Sequence, residues 1–515
     1  MTAARSNTNK RPSDRPEDER LGIGPSVAYG LQHVLTMYGG IIAPPLIIGS
    51  AAGVSPAEIG LLIAACLFVG GLATLLQTIG FPFFGSQLPL VQGVSFAGVA
   101  TMLAIVNGNG REGLTNVFGA VIIASLIGLV IAPFFAQIVR FFPPVVTGVV
   151  ITSIGLSLMP VAGRWIVGND PTAANFADPV NIGIAGFTLL VIILLSKVGN
   201  AFVSRLSILL ALVVGTIFAA LIGRADFSKV FQGDFFAFPT PLAFGAPTFD
   251  LAAILSMLIV VLVILTETTA DILAVGEIVG SKVDRKRIAA GLRADMLSSA
   301  VSPIFNSFTQ SAFAQNVGLV AVTKIKSRYA VAAGGVVLII LGLCPFLGRV
   351  VAAMPTAVLG GAGIVLFGTV TASGIRTLAK VKYENNMNLI IVATAISIGI
   401  LPELIPAIYS NFPSWFQVIF NSGISSAAVT AIVLNLVFNH FTRGNTDDPS
   451  VFAASPVRII RTDVIRVLKE GDRYVDGRLV GADGKVVQVV DDDEPGGSRR
   501  TEPDALSPPP EVRVR

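Results

Sequence analysis

The sequence predicts an all-α polytopic membrane protein, and three observations carry that prediction. Only 13% of the 515 residues are charged while 53% are hydrophobic, and the mean hydropathy is +0.76. Soluble chains carry about 25% charged residues, so half that level excludes a soluble protein of this size. Second, apolar runs follow one another from about residue 26 to 442, separated by short polar joints. Third, Lys and Arg are shared unevenly among those joints, which sets both the span count and the orientation.

Taken in order, residues 1–24 are polar, mixed in charge and free of any apolar run. They are expected as a retained cytoplasmic tail, not a signal peptide. A crossing needs roughly 20 apolar residues. Spans are expected near 27–49, 57–79, 88–106, 116–139, 143–161, 180–198, 204–223, 248–276, 287–305, 312–325, 329–350, 355–378, 387–407 and 420–442, fourteen in all. The third, ninth and tenth are short or interrupted by Gly, Pro and polar residues. With the N-terminus inside, the even joints hold fourteen Lys and Arg, Arg140, Arg287 and Arg328 among them. The outer joints hold five: Arg111, Arg164, Arg224, Lys229 and Arg349. A span lost or added midway would scramble that bias.

The chain also repeats itself weakly. Pro143-Pro144-Val-Val-Thr-Gly148 and Pro355-Thr-Ala-Val-Leu-Gly360 each open a span, 212 residues apart. Seven spans per half is an odd number, so the halves are expected to be inverted, the architecture in which secondary transporters bind substrate between broken helices. After Thr442 the composition turns polar. Residues 443–515 are expected as a largely disordered cytoplasmic tail, with a small hairpin where Asp476-Gly477 and Asp483-Gly484 sit beside β-formers. The Asp491–Glu494 run reads as a solvated charge run rather than a metal site. Cys66 and Cys344 lie in apolar runs, against a disulfide scaffold. The net charge of +4 belongs to the bilayer-facing joints, so no nucleic-acid partner is expected.

An ionisable residue inside a span costs roughly 2.5–3.5 kcal/mol and is a functional candidate by default. The set is short: His33, Glu267, Asp271 and Asp295, with Glu277, Glu403 and His440 nearer span ends. Glu267 and Asp271 are four apart and share one face of the eighth span. That face must line a wet or protein-packed cavity. Two carboxylates without a nearby Lys or Arg resist double ionisation, so the pair reads as a holder of a coupling proton or as a hydrogen-bonded brace. His33 reads as a substrate or proton-relay group, or as a helix-to-helix bond. Asp295 is a coupling group, or a brace paired with Arg293 or a neighbouring polar group. Two stretches, Gly85–Gly98 and Asn306–Gly318, run from extended polar sequence into an apolar helix. Such backbone is tolerated at membrane depth only where it is buried or lines a cavity, and each new helix start presents free N–H groups.

The run Gln315-Asn316-Val-Gly318-Leu-Val-Ala-Val-Thr323-Lys-Ile-Lys-Ser327-Arg328 resembles the signature of the nucleobase–ascorbate transporter family (nucleobase:cation symporter-2), Gln/Glu/Pro-Asn-x-Gly-x4-Thr-x3-Ser-Arg, at every fixed position. Gln32-His33, Ser95-Phe96 and Glu267 with Asp271 also fit the family pattern, which covers about residues 22–442. The resemblance implies two inverted repeats of seven spans. Spans 1–4 and 8–11 (about 25–140 and 248–350) would form a core domain; spans 5–7 and 12–14 (about 141–247 and 351–442) would form a gate. Short strands in spans 3 and 10 would meet at the substrate. It further implies that Glu267 and Gln315 hold the base by their side chains, with Phe96, Ala314, Ser95 and His33 around it. Asp271, Asp295, Asn316 and Thr323 would couple protons or support the site. Gln at the first signature position resembles the xanthine and urate branch; its amide donates and accepts at once, which matches an imide edge. Asp271 departs from relatives that carry His there.

The expected function is therefore uptake of an oxopurine by proton symport in the cell membrane, with both termini cytoplasmic and an elevator-like core movement. The expected partners are the purine, the proton, the bilayer and, as a protein partner, a second copy in a homodimer; no cofactor and no metal are expected. A uracil carrier is disfavoured by Gln315, and a sulfate-carrier-like anion exchanger by Glu267. A polytopic enzyme would need a metal cluster or a nucleophile–base pair, for which two histidines and no His-Glu-x-x-His pattern leave little room.

Overall fold

The computed structural model describes residues 15–106, 109–135, 143–168, 172–173, 175–228, 230–231, 233–383 and 386–440, and the strand residues 473–475, 478–480 and 486–487. Arg140, Lys229, residues 1–14 and the Asp491–Glu494 run lie outside the described residues.

The chain is a bundle of apolar helices. The first half contributes α1 (Ile23–Ala51), α2 (Pro56–Thr78), β1 (Gln92–Val94), α3 (Val99–Val106), α4 (Gly110–Ile131), α5 (Pro144–Val167), α6 (Pro179–Val198) and α7 (Ser207–Leu221). The second contributes α8 (Leu251–Val279), α9 (Arg285–Val301), β2 (Gln310–Ala312), α10 (Ala314–Thr323), α11 (Arg328–Gly342), α12 (Pro345–Ala352), α13 (Thr356–Leu378), α14 (Asn386–Leu404), α15 (Ser414–Phe420) and α16 (Gly423–Asn435). Helix starts follow local capping chemistry. Ser55 and Glu58 form a capping box at α2, and Asp250, Asp284, Ser327 and Ser422 cap α8, α9, α11 and α16.

Among the described residues, eight helices are long and apolar enough to cross a membrane. The rest of the expected spans correspond to shorter or broken elements, so length and composition alone do not count fourteen. One expectation is corrected. The eleventh span, placed at 329–350, is not one helix: α11 and α12 meet at 76°. Pro345 cannot continue α11, and it disfavours helical backbone at Cys344. Large apolar side chains such as Leu190, Ile193 and Val198 on α6 stay exposed, as a lipid-facing surface requires. Cys66 and Cys344 are free and buried.

The two helices that open the repeated motif pack against each other, α5 on α13. A Cβ at Gly148, near the start of α5, would stand 2.7 Å from Leu378 at the end of α13. One at Gly360, near the start of α13, would stand 2.7 Å from Ile166 at the end of α5. The pair is antiparallel and close because small residues let the backbones meet. Separately, residues 455–515 form a second compact unit. The hairpin expected there is present, Arg473–Val475 pairing antiparallel with Arg478–Val480, which in turn pairs with Val486–Val487.

The N-terminal segment is more than a tail. Pro16–Asp18 form a short 3-10 turn strapped across the bundle. The Arg287 guanidinium donates to Glu17 at 2.5 Å and that of Arg328 to Asp18 at 2.6 Å, while the Ser327 hydroxyl donates to the Glu19 carbonyl at 2.6 Å. Arg328 also reaches the Thr78 carbonyl at 2.8 Å, closing the end of α2. Burial would push the Glu17 carboxyl upward, but its own backbone N–H, the Ser281 hydroxyl and Arg287 outweigh it and hold it below its ordinary value. A depressed carboxyl stabilises the fold above its unfolded pKa and loses that contribution as pH falls through the folded one. Glu17→Gln is therefore expected to lower the thermal unfolding midpoint of the purified protein at pH 7. The gap to wild type should narrow once the pH drops below about 4.5. A gap unchanged down to pH 3 would show that Glu17 does not act as a carboxylate there.

Candidate functional site

The two interrupted spans meet in the middle of the bundle. β1 and β2 pair antiparallel, with Gln92 opposite Ala312, Gly93 opposite Ser311 and Val94 opposite Gln310. Two further bonds lengthen the ladder, from Ser95 N–H to Thr309 at 2.8 Å and from Phe313 N–H to Val91 at 3.1 Å. Beyond the strands each chain turns into a helix. Ser95 caps a 3-10 turn over Phe96–Gly98, its hydroxyl accepting from Ala97 N–H at 3.2 Å. On the other side α10 starts at Ala314 behind Phe313, which offers no side-chain cap. The N–H groups of Ala314 and Gln315, in the first turn, lack partners within their own helix; Ala314 is exposed and Gln315 half-buried.

Asn316 ties three elements together. Its amide N–H donates to His33 Nδ1 of α1 at 2.8 Å, and its carbonyl oxygen accepts from Val91 N–H, also at 2.8 Å. Both side chains are buried. His33 is thus held through Nδ1 by the signature asparagine. Thr323, eight residues along α10 from Gln315, donates to the Leu319 carbonyl at 2.8 Å. That puts it about 12 Å from Gln315 at the helical rise per residue, at the far end of α10 from the strand pair.

The carboxylates differ in their surroundings. Glu267 and Asp271 on α8 are half-buried and make no hydrogen bond or ion pair among the described residues. Asp271 lies within electrostatic reach of Glu267 and of Asp295. Asp295 on α9 is buried and engaged: it accepts from the Thr268 hydroxyl at 2.5 Å, and Thr268 also lies 3.5 Å from the Ala312 N–H. Its partner is therefore Thr268 and not Arg293, whose guanidinium donates to the Phe83 carbonyl. Thr268 also fixes the depth of Glu267, its sequence neighbour, at the end of β2. Sequence reasoning missed Thr268 because hydroxyls are common in spans and nothing in its spacing singles it out.

Phe96 is half-buried and packs edge-on to Phe367 of α13 at 6.2 Å, and Phe367 lies 6.4 Å from Trp165 of α5. Just below, Thr101 of α3 shares hydroxyl bonds with Ser422 at 2.9 Å and Ser425 at 3.2 Å at the start of α16. These groups also escaped the sequence reading, since contacts between distant helices leave no local pattern. Around the strand pair stand half-buried carboxylates that can accept hydrogen bonds, first-turn amides that can donate them, and the Phe96 ring.

Residues 24–408 match the model of a permease family. The chain is similar to the uric acid transporter UacT of Escherichia coli strain K12, 41% identical over 433 residues and covering 83% of this chain and 89% of that one. It is 38% identical to the xanthine permease of Bacillus subtilis strain 168 over 424 residues, 82% of this chain and 96% of that one. Its fold is similar to the transmembrane domain of the cyanobacterial bicarbonate transporter BicA, with a TM-score of 0.55 at 15% identity, covering 79% of this chain and 97% of that one.

If Asn316 is the tie between the broken spans, Asn316→Leu leaves the Val91 N–H and His33 unpaired, at roughly 1–3 kcal/mol for each buried group. Thermal unfolding in detergent should show a clear loss for that variant. Thr323→Val, which removes one bond within a helix, should stay within about 1 kcal/mol of wild type. Equal effects from the two would deny Asn316 its bridging role.

Proposed function

This chain belongs to the permease family of xanthine and uric acid carriers (nucleobase:cation symporter-2), and we propose that it takes up an oxopurine, xanthine or urate, across the cell membrane together with a proton. The observation that carries the reading is the half-buried, unpartnered carboxylate of Glu267, next to Thr268 at the end of β2, with the uncapped start of α10 two residues beyond that strand. An oxopurine offers ring N–H donors and carbonyl acceptors on one plane. Glu267 accepts from the ring N–H, while the Ala314 and Gln315 amides and the Phe96 amide donate to the carbonyls. The Gln315 side chain donates and accepts along an imide edge, and the Phe96 ring covers the face. Free amides at a helix start also favour an anion, which suits urate. The names of the relatives, a uric acid transporter and a xanthine permease, support the same substrate class.

Asp271, one turn from Glu267 on the same face, carries the coupling proton, with Asp295 behind it. In the transport step, α1–α4 and α8–α12 move as a core against a gate of α5–α7 and α13–α16, elevator-like. The Phe96–Phe367 contact and the Thr101–Ser422 bond cross that boundary and release during the movement. The Lys and Arg bias puts both termini in the cytoplasm.

Labelled urate and xanthine uptake into cells tests this directly. Gln315→Glu replaces a donor–acceptor amide with an acceptor and should cut purine uptake tenfold or more, since a lost hydrogen bond to the base costs roughly 1–3 kcal/mol. Unchanged purine affinity would remove Gln315 from the site. Glu267→Gln should reach the membrane in normal amounts yet bind more weakly and fail to accumulate substrate. Wild-type uptake should rise as external pH falls from about 8 to 6, the proton being a co-substrate, and a protonophore should abolish it. Dependence on sodium at constant pH would refute proton coupling.

A further inference from the structure

Beyond the binding site, several buried polar atoms have no partner among the described residues. Asp295 Oδ1, Gln77 Nε2 and Ser86 Oγ are each shut from solvent and unbonded. They are not scattered. Gln77 stands at the end of α2, and its Oε1 accepts from Ser86 N–H at 3.1 Å. Gly291 of α9 packs closely against both: a Cβ there would stand 2.5 Å from Ile272 Cδ1, 3.1 Å from Ser86 Cβ and 3.3 Å from Gln77 Nε2. Asp295 follows Gly291 by four residues, on the same face and about 6 Å deeper along α9. At the other end, Ser86 lines a cavity of about 800 Å³ together with Gln87, Arg15, Lys282 and Arg287.

We infer that Gln77 Nε2, Ser86 Oγ and Asp295 Oδ1 bind a file of water that carries protons between the Asp271–Asp295 carboxyls and this cavity. The inference rests on the proton-coupled reading above. Buried water bonds to two to four otherwise unsatisfied polar groups, and this path supplies them in sequence. The Ser86 hydroxyl both donates and accepts, while the free Gln77 Nε2 donates to a water and holds it in place without entering the relay. Each hop breaks one O–H bond and forms another. The proton leaves a carboxyl for the nearest water, that water passes one on, and the carboxylate remains for the next proton; nothing is oxidised or reduced.

The charged groups around the path come from every side. They are Glu267 and Asp271 on α8, Asp295 and Arg287 on α9, Lys282 and Asp284 in the joint before it, and Arg15 and Glu17 on the strap. Arg287 cannot swing inward. Its donors are spent on the Ser86, Gln87 and Lys282 carbonyls, the Ser281 hydroxyl and Glu17. It frames the mouth and leaves the route to neutral groups.

The test uses purified full-length protein in proteoliposomes with a pH-sensitive dye inside. Two readings are taken: proton entry driven by urate, and exchange of labelled urate at equal concentrations, which needs no net proton movement. Gln77→Leu and Ser86→Ala should keep exchange within twofold of wild type and lose proton-coupled net uptake by tenfold or more. Wild-type proton entry in Gln77→Leu and Ser86→Ala overturns the route, as does loss of exchange in step with net uptake. Urate uptake by wild type without proton entry overturns the symport reading itself, and the route with it.

Discussion

Hydrocarbon offers no hydrogen bond, so an interrupted span survives only if its freed amides and carbonyls find partners inside the protein. Two spans break here, and each satisfies the other. Three residues of β1 pair with three of β2, and side chains from the surrounding helices complete the ladder. The Thr74 hydroxyl accepts from Gln92 N–H at 2.9 Å, the Ser299 hydroxyl from Gln310 N–H at 2.8 Å, and Asn316 from Val91 N–H. The first-turn amides of α10 stay without a partner in their own helix, and α10 packs beside α8. The candidate site is what remains of the broken backbone once the rest is satisfied.

The antiparallel relation runs through the whole bundle. β1 lies antiparallel to β2, and α5 to α13 through matching glycines at opposite ends. An in-plane two-fold relation between halves produces such pairings, and it places the two broken spans at the axis. Lipid gives helices little hydrophobic reason to associate, so small residues and side-chain hydrogen bonds must supply the packing. Phe96 on Phe367 and Thr101 on Ser422 join α3 and the turn before it to α13 and α16 by such side-chain contacts.

Much of this was legible before any coordinates. The breaks near 88–106 and 312–325 announced themselves as polar, Gly- and Pro-containing stretches inside apolar sequence, and the intramembrane carboxylates stood out by their cost. What escaped had no local signal. Arg287 and Arg328 were counted for topology, yet their partners Glu17 and Asp18 lie some 270 and 310 residues away in the chain, where periodicity has nothing to say. The bend between α11 and α12 was readable in Pro345 but was masked by unbroken hydropathy on either side. Gln77 and Thr268 looked like ordinary polar residues of helices, and only the tertiary structure sets one beside Gly291 and the other against Asp295.

The three carboxylates show how burial sorts roles. Asp295 gives one oxygen to Thr268 and is closed off, so it cannot reach a bound ligand. Glu267 is half-buried and directly precedes Thr268, which meets the end of β2. Asp271 is half-buried as well and lies a turn, about 6 Å, away along α8. On the proposed reading, substrate satisfies Glu267 alone. Asp271, at the same membrane depth cost, must be satisfied by something that comes without the base. On that reading the need is met by a proton, one turn of helix from the carboxylate that meets the base.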